Sequence, residues 1–128
     1  MFDKMRRLPD AELEVMKAIW DNTPPMSTND VMKVVSQEKN WIISTLLTLL
    51  SRLIDRGFLT SEKRGRERIY YPQVEREEYM EYETKNFLKK LHKNSFMSLV
   101  NTLYDNNDLT EQDIDELSHW LEEKKSNH

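Results

Sequence analysis

The stretch from Trp41 to Pro72 constrains the fold more than any other part of the chain. Residues 44–56 contain no Pro or Gly, and leucines recur there with the i, i+3, i+4, i+7 spacing of one helix face. These leucines are Leu46, Leu49, Leu50 and Leu53. Gly57 follows at the position where a left-handed residue commonly ends a helix. The pattern predicts a helix with one buried side and one polar, exposed side.

Two short runs rich in β-branched and aromatic residues follow this helix. Residues 58–63 and 68–71 are typical of strands, with a turn at residues 64–67, so they predict a β-hairpin. The basic residues at its tip are Lys63, Arg64, Arg66 and Arg68. Side chains alternate between the two faces of a strand, so Arg64, Arg66 and Arg68 share a face only if the turn between the strands does not reverse this alternation. A polar helix face beside a basic hairpin fits a DNA groove and its phosphates, which indicates a winged helix. The alternative is a solvated surface hairpin.

The rest of the chain predicts five further helical segments or caps. Residues 9–21 have helical periodicity, and residues 27–30 resemble a capping box that starts a second helix after Pro24 and Pro25. Past Pro72, residues 74–93 and 95–104 have helical character, and Thr110 is placed to cap a last helix. The predicted fold class is mainly α with a small β-hairpin. It comprises a winged helix-turn-helix domain at residues 1–73 and a C-terminal three-helix dimerisation domain at residues 74–128.

The charge of the chain is unevenly distributed. The formal net charge is −4, but residues 1–73 hold 12 Lys and Arg against 10 Asp and Glu, whereas residues 74–128 hold 7 against 13. Within residues 52–68 there are 6 basic and 3 acidic residues. Because local distribution matters more than the total, the N-terminal part keeps a modest basic patch that suits a nucleic-acid partner.

Composition excludes several classes of function. The chain has no Cys, which excludes disulfides, thiolate metal sites and Cys nucleophiles. Its only glycines are Gly57 and Gly65, so there is no Gly-rich phosphate loop, and the three histidines are isolated. We therefore expect no enzymatic activity, no cofactor and no metal. No apolar run approaches the roughly 18 residues of a membrane span, and the N-terminus lacks a signal-peptide core, so we expect a cytoplasmic protein without membrane insertion.

The C-terminal helices carry more large apolar side chains than one small helical unit can bury. The surplus predicts a homodimer interface. Its candidate residues are Phe87, Leu91, Phe96, Leu99, Val100, Leu103, Leu117, Trp120 and Leu121. The alternative is that these helices pack back on the N-terminal domain.

Short motifs along nearly the whole chain resemble one protein family. The N-terminal ones are Ala11-Glu12-Leu13-Glu14-Val15-Met16, Ile19-Trp20, Trp41, Thr48-Leu49, Ser51-Arg52-Leu53, Gly57-Phe58, Gly65-Arg66 and Tyr70-Tyr71. The C-terminal ones are Thr84-Lys85-Asn86-Phe87, Ser98-Leu99-Val100 and Asp108-Leu109-Thr110. Each motif is weak alone, but the ordered series resembles the BlaI/MecI family of bacterial penicillinase repressors. The resemblance implies a homodimeric winged-helix repressor that binds an inverted-repeat DNA operator, with a β-lactamase gene as its target.

The predicted DNA-binding residues lie on the third helix and the wing. They are Ser44, Thr45, Leu47, Thr48, Ser51, Arg52, Lys63, Arg64, Arg66 and Arg68. The family typically has Lys and Arg where this chain has Ser44 and Leu47. Losing these cations is expected to weaken binding or to change the operator. Leu47 would contact either a thymine methyl group or the first helix.

The resemblance also implies induction by proteolysis. Family repressors are inactivated when a membrane sensor-protease pathway cuts an Asn-Phe bond in the dimerisation domain. That dipeptide corresponds here to Thr102-Leu103, with an Asn one residue earlier at Asn101. The expected bond is therefore replaced, although a cut at Asn101, Thr102 or Leu103 would still separate the last helix from the rest of the interface. The copper-responsive relatives are disfavoured because their C-terminal Cys cluster is absent.

Two other classes of function compete with the repressor. The apolar third helix and the net negative charge would suit a winged helix that binds another protein through Leu47. An aromatic pocket formed by Tyr79, Tyr82, Phe87 and Trp120 would suit a small-molecule-responsive regulator.

Overall fold

Residues 5–127 form six helices and one small antiparallel sheet. A computed structural model describes residues 5–127 of the chain. Its elements are α1 (Asp10–Trp20), β1 (Met26–Ser27), α2 (Thr28–Val35), α3 (Ile43–Asp55), β2 (Leu59–Arg64), β3 (Glu67–Pro72), α4 (Arg76–His92), α5 (Phe96–Asp105) and α6 (Glu111–Ser126). The predicted fold class, mainly α with a small hairpin, is confirmed.

Capping boxes start two of the helices, as their sequences predict. At α2 the Ser27 hydroxyl accepts from the Asp30 N–H and the Asp30 carboxylate accepts from the Ser27 N–H, each at 3.1 Å. At α6 Thr110 and Asp113 make the same reciprocal pair at 3.0 Å. Each box satisfies two backbone N–H groups that a helix start leaves without a partner. Local sequence therefore fixes where these helices begin.

The sheet has the strand order β1-β3-β2, and all its pairs are antiparallel. β1 was not predicted: it has two residues, Met26 and Ser27, which pair with Tyr70 and Ile69 of β3. The turn of the hairpin is shorter than the predicted residues 64–67. Arg64 and Glu67 are paired strand residues, so only Gly65 and Arg66 form the turn. Gly65 has a φ of +66°, as the first central residue of a type II′ hairpin turn requires.

The N-terminal core forms around α3. Leu46, Leu49, Leu50 and Leu53 are all buried, as the spacing predicts. They belong to one cluster with apolar residues of α1, α2, β2 and β3. Gly57, with φ of +84°, ends α3, and the Phe58 N–H donates to the Leu53 carbonyl at 2.9 Å. Only residues 56–58 separate α3 from β2, so the position of the helix and that of the hairpin are coupled.

A buried ion pair joins α1 to the end of α3. Glu12 is 2% exposed, and its carboxylate accepts hydrogen bonds from the Nε and one Nη of Arg56. The arginine side chain is 33% exposed, so the pair has one dry partner and one partly hydrated partner. This contact fixes the carboxyl-terminal end of α3 against α1.

The chain divides into two compact units after Glu83. Val74 and Tyr79 lie beyond residue 73 but belong to the core of the first unit. The Trp20 indole N–H donates to the Val74 carbonyl at 2.9 Å, and the Leu8 N–H donates to the Tyr79 hydroxyl at 2.7 Å. As functional domains, residues 1–73 and 74–128 stay a prediction, and their ends, residues 1–4 and 128, lie outside the described residues.

Tyr79 is a core residue and not the wall of a ligand pocket. Its ring packs against Trp20 and Phe58 with centroid distances of 5.8 and 5.7 Å. Burial and a hydrogen bond with Glu83 raise the pKa of the Tyr79 phenol well above its ordinary value. The phenol therefore stays neutral and holds the Leu8 backbone. The prediction that Tyr79 lines an aromatic pocket is wrong, because this side chain is 3% exposed and packs inside the core.

The second unit, from Thr84, has no buried residue among those that the structure describes. At the carboxyl-terminal end of α4, the ring centroids of Phe87 and His92 lie 5.5 Å apart, and His92 Nδ1 lies 2.8 Å from the Ser98 hydroxyl. Ser95 caps α5 by accepting from the Ser98 N–H at 3.1 Å. These local contacts define the helices, but they leave large apolar side chains in water.

Candidate nucleic-acid interface

α3 exposes the half of its surface that lies opposite the leucine core. Ser44, Thr48, Ser51 and Arg52 are exposed there, and Thr45 is half-buried at the edge. Positions four residues apart lie on the same side of a helix, so these side chains form one continuous strip. The strip contains one cation, Arg52, and four hydroxyl groups. Its shape and length suit insertion into a major groove.

One of the hydroxyls on this strip is already engaged. Thr48 Oγ1 donates to the Ser44 carbonyl at 3.0 Å, which leaves the Thr48 oxygen able to accept but not to donate. Ser44 and Ser51 stay available for either role. Because a hydroxyl pairs with many base edges, the polar part of the strip discriminates weakly between bases.

Leu47 and two isoleucines interrupt the polar strip with apolar groups. Leu47 is 46% exposed, so it does not gain the burial that packing on the first helix would give. Ile42 and Ile43, at the helix start, are 66% and 45% exposed. Ile42 and Ile43 were not among the residues predicted to bind DNA. The sequence offered one indication of their exposure. Ile42 is the N-cap residue of α3, where Ser, Thr, Asp or Asn is usual, and its side chain makes no cap hydrogen bond.

The wing carries two cations opposite one another. Lys63 and Arg68 are cross-strand partners, so their side chains project from the same face of the hairpin. Arg68 donates to the Ser61 hydroxyl at 2.9 Å, and neither cation has a carboxylate partner among residues 5–127. Like charges placed directly opposite repel each other, and an anion between them removes that repulsion. The pair is therefore suited to a phosphate group.

Arg64 lies on the other face of the hairpin. Arg64 pairs with Glu67, whereas Arg68 pairs with Lys63, the neighbour of Arg64. Because neighbouring strand residues point to opposite faces, Arg64 and Arg68 do not share a face, and the three arginines do not form one cluster. Arg64 lies 3.6 Å from the Glu62 carboxylate and donates to the Tyr71 hydroxyl at 3.2 Å. The Tyr71 hydroxyl also donates to Glu62, and this hydrogen bond raises the pKa of Tyr71. Arg64 is thus partly neutralised, whereas Arg66 in the turn is exposed.

The predicted dimer residues form an exposed apolar surface on the second unit. Phe87, Leu91, Phe96, Trp120 and Leu121 are between 43% and 67% exposed. The others, Leu99, Val100, Leu103 and Leu117, are half-buried. Lys124 lies over the Trp120 ring, 5.4 Å from its centroid. The surface is present on a single chain, and nothing within that unit covers it.

The predicted cleavage residues lie within a helix. Asn101 and Thr102 are exposed near the middle of α5, and Leu103 is half-buried. Thr102 Oγ1 donates to the Ser98 carbonyl at 2.9 Å, one turn earlier. The side chains of Asn101 and Thr102 are accessible, but a protease would require this helix to open.

In the part of the chain that the structure describes, no three His, Cys, Asp or Glu side chains are grouped closely enough to bind a metal ion. No helix within residues 5–127 has the length and apolar character needed to cross a bilayer.

The sequence of this chain is similar to those of known repressors along nearly its full length. The family model described as Penicillinase repressor matches residues 8–123. The penicillinase repressor of Bacillus licheniformis is 37% identical over 123 residues, which cover 96% of this chain and 95% of that protein. The methicillin resistance regulatory protein MecI of Staphylococcus aureus strain N315 is 33% identical over 124 residues, covering 97% of this chain and all of that protein.

Two solved structures match the N-terminal part of the chain. One is the solution structure of the DNA-binding domain of the repressor BlaI, with a TM-score of 0.53 and 40% identity. The other is the monomeric form of Bacillus licheniformis BlaI in complex with the blaP half-operator, with a TM-score of 0.51 and 40% identity. Each match covers 59% of this chain and 90% of the solved one. With a family model that spans nearly its full length, this chain belongs to the penicillinase repressor family, as its motifs predicted.

Proposed function

We propose that the protein is a transcriptional repressor that binds an inverted-repeat DNA operator as a homodimer. The observation that carries the proposal is the pairing of an exposed α3 strip with a wing whose Lys63 and Arg68 share a face and have no acidic partner in the described part of the chain. α3 would enter a major groove while the wing contacts the adjacent phosphates. The solved complex of the relative BlaI contains a half-operator, which supports one half-site per monomer.

Each proposed contact residue has a defined role. Ser44, Thr45, Thr48, Ser51 and Leu47 would face base edges, and Arg52 would bind phosphate from the later turns of α3. On the wing, Lys63, Arg66 and Arg68 would bind phosphate, with Arg64 contributing less because Glu62 partly neutralises it. Few cations contact DNA in each monomer, so useful affinity requires two linked half-sites. The inverted repeats would be spaced by about one helical turn or a multiple.

The proposed dimer uses the apolar surface of the second unit. Its residues are Phe87, Leu91, Phe96, Leu99, Val100, Leu103, Leu117, Trp120 and Leu121. Support comes from the absence of any buried residue between Thr84 and Asn127, since a second copy of the same surface would remove it from water.

Relief of repression by proteolysis belongs to the same proposal. Support comes from the accessible Asn101 and Thr102 side chains in α5 and from the family, in which β-lactam resistance genes are regulated. Mass spectrometry of the chain from β-lactam-treated cells is expected to detect a fragment that ends at Asn101 or Thr102. Derepression of the target gene with an intact chain would contradict this part of the proposal.

The first experiment is selection of bound sequences from a random duplex pool with the full chain. We expect an enriched inverted repeat, and we expect the double variant Arg52→Ala/Arg66→Ala to lose it, because both cations are exposed and neither supports the core. Circular dichroism of the variant controls for folding. A folded, dimeric wild-type protein that enriches no sequence at low salt would refute DNA binding and favour a protein partner for α3.

A further inference from the structure

The start of α3 carries apolar side chains where a DNA-binding helix usually carries polar ones. Ile42 is 66% exposed, Ile43 45% and Leu47 46%, although the leucines on the opposite side of the same helix are 5% exposed or less. Ile43 and Leu47 are four residues apart and therefore lie on one side of the helix, with Ile42 directly before them. We call these three residues the apolar patch of α3.

Hydrogen bonding from this end of the helix is limited. The Thr48 hydroxyl donates to the Ser44 carbonyl, and Thr45 is half-buried. Ser44 is the remaining exposed hydroxyl in the first turn, and a single hydroxyl distinguishes bases poorly. The first turn also contains no charged residue. Any sequence preference at this end of α3 must therefore come mainly from shape and apolar contact.

We infer that Ile42, Ile43 and Leu47 recognise thymine through its C5-methyl group in the major groove. This inference rests on the proposed function, because it assumes that α3 enters DNA. The thymine methyl group is the one apolar feature that base edges present in the major groove, so an apolar patch distinguishes thymine from every other base there. Burial of a methyl group against these side chains replaces the hydrogen bonds that the helix start lacks.

The charges of the first unit favour DNA over a protein as the occupant of the patch. Arg52 on the exposed half of α3 and the Lys63–Arg68 pair on the wing have no carboxylate partner within residues 5–127. An apolar patch accompanied by unpaired cations matches a surface that presents methyl groups between rows of phosphates. The methyl groups would give specificity, and the cations would give affinity.

Replacement of thymine by deoxyuridine removes only the methyl group and therefore tests the inference directly. The probe is the duplex that the full-length protein selects, with deoxyuridine placed at one thymine position in both half-sites. We expect binding to weaken about fourfold for each methyl group contacted, or roughly 15-fold for the two half-sites together. Leu47→Ala or Ile43→Ala should weaken binding to the thymine duplex and bring the two duplexes closer in affinity.

Met80→Ala is the matched control variant. Met80 is 45% exposed, close to the value for Leu47, but it lies on α4. This variant should keep the full difference between the thymine and deoxyuridine duplexes. Thermal unfolding of all variants checks that each is folded, as is expected when partly exposed side chains are shortened.

The outcomes separate the inference from the proposed function. If the protein selects an operator but binds its thymine and deoxyuridine forms equally at every position, methyl recognition is refuted and DNA binding stands. A difference that Ile42→Ala, Ile43→Ala and Leu47→Ala all leave unchanged also refutes it, because residues outside the apolar patch then detect the methyl group. A folded protein that selects no DNA refutes both statements and assigns the patch to a protein partner.

Discussion

At the scale of single residues, two arginines on α3 have opposite roles. Arg56 contacts the buried Glu12 carboxylate, whereas Arg52, one turn earlier, is exposed and has no acidic partner in the described chain. Arg56, the C-cap residue of α3, continues the leucine spacing, whereas Arg52 lies on the opposite, exposed side of the helix. The difference comes from Glu12, which approaches the end of α3 from α1. One arginine therefore supports the fold, and the other is free for DNA.

Substitution of these arginines should separate stability from binding. Arg56→Ala leaves the Glu12 carboxylate buried without its partner, so we expect unfolding free energy to fall by about 2–4 kcal/mol in urea denaturation. Arg52→Ala, the matched control, should change stability by less than about 0.5 kcal/mol and weaken DNA binding instead. Equal stability of the two variants would show that the Glu12–Arg56 pair does not hold α3.

The Tyr79 hydroxyl gives a second prediction at this scale. It accepts the Leu8 N–H at 2.7 Å, and both residues are buried in the core. Tyr79→Phe keeps the ring contacts with Trp20 and Phe58 but leaves that N–H without an acceptor. We expect a loss of about 1–3 kcal/mol in thermal or urea unfolding. Tyr71→Phe, on the exposed wing, is the control and should be near neutral; a similar loss there would argue against a core effect.

The sequence predicts single-residue burial well only where a repeating pattern exists. The four α3 leucines were predicted to be buried because their spacing is local information. Glu12 was not, because its partner Arg56 is 44 residues away and a Glu in a first helix turn usually faces water. Tyr79 was considered only as a wall of an aromatic pocket, because its contact with Phe58, 21 residues earlier in the chain, exists only in the folded core.

At the scale of elements, the wing depends on strand register. The hairpin was predicted from composition and turn residues, but the two-residue turn at Gly65 and Arg66 was not, and it decides which cations share a face. Lys63 and Arg68 project together, while Arg64 is opposite Glu67. β1 was missed because two residues after Pro24-Pro25 give no periodic signal; their pairing with β3 exists only in the folded sheet.

The two faces of the wing should differ in their effect on DNA binding. Removal of a phosphate contact lowers the slope of log affinity against log salt by about one unit per cation. We therefore expect Lys63→Ala/Arg68→Ala to reduce the slope by about two and to weaken binding at physiological salt. Arg64→Ala should change the slope by less than half a unit, because Glu62 and Tyr71 already contact that guanidinium. Equal slopes for both variants would contradict the assignment of faces.

Additional cations on α3 provide the converse test. Ser44 and Leu47 are exposed on the helix strip, so Lys and Arg fit there without disturbing the leucine core. Ser44→Lys/Leu47→Arg should steepen the salt dependence by up to about two, and at low salt the two added phosphate contacts should outweigh the loss of the proposed contact between Leu47 and a thymine methyl group. Titration of one duplex at several salt concentrations measures both effects. An unchanged salt dependence would mean that this end of α3 stays outside the groove.

At the scale of the whole molecule, charge and apolar surface are divided between the two parts of the chain. Residues 1–73 carry the basic wing, and residues 74–128 carry 13 acidic against 7 basic residues. Acidic surface is repelled by DNA, so the C-terminal part is suited to a partner of another kind. The fold class followed from sequence because helix caps and leucine spacing are local. Exposed apolar residues were expected in the C-terminal part because it has too many large apolar residues for one small unit to bury, and their role as a dimer interface stays a prediction.

Disruption of the apolar surface of the second unit should dissociate the proposed dimer into monomers and thereby weaken operator binding. Phe96, 52% exposed, is the first residue of α5. Glu is favourable near a helix N-terminus, so Phe96→Glu leaves the helix intact while placing a charge in the interface. We expect sedimentation to show a dimer for the wild type and a monomer for the variant at micromolar concentration. The variant's melting temperature should also lose the concentration dependence of a dimer.

The same variant connects dimerisation to DNA binding. A dimer presents its second α3 at a high effective concentration once the first is bound, whereas a monomer binds each half-site independently. Phe96→Glu should therefore weaken binding to the full inverted repeat by at least about 100-fold and leave binding to a single half-site nearly unchanged. Met80→Glu, which changes an apolar residue of similar exposure on α4 (45%), should keep both the dimer and the affinity. A monomeric variant that still binds the full repeat as tightly as the wild type would show that the two half-sites are not linked through this surface.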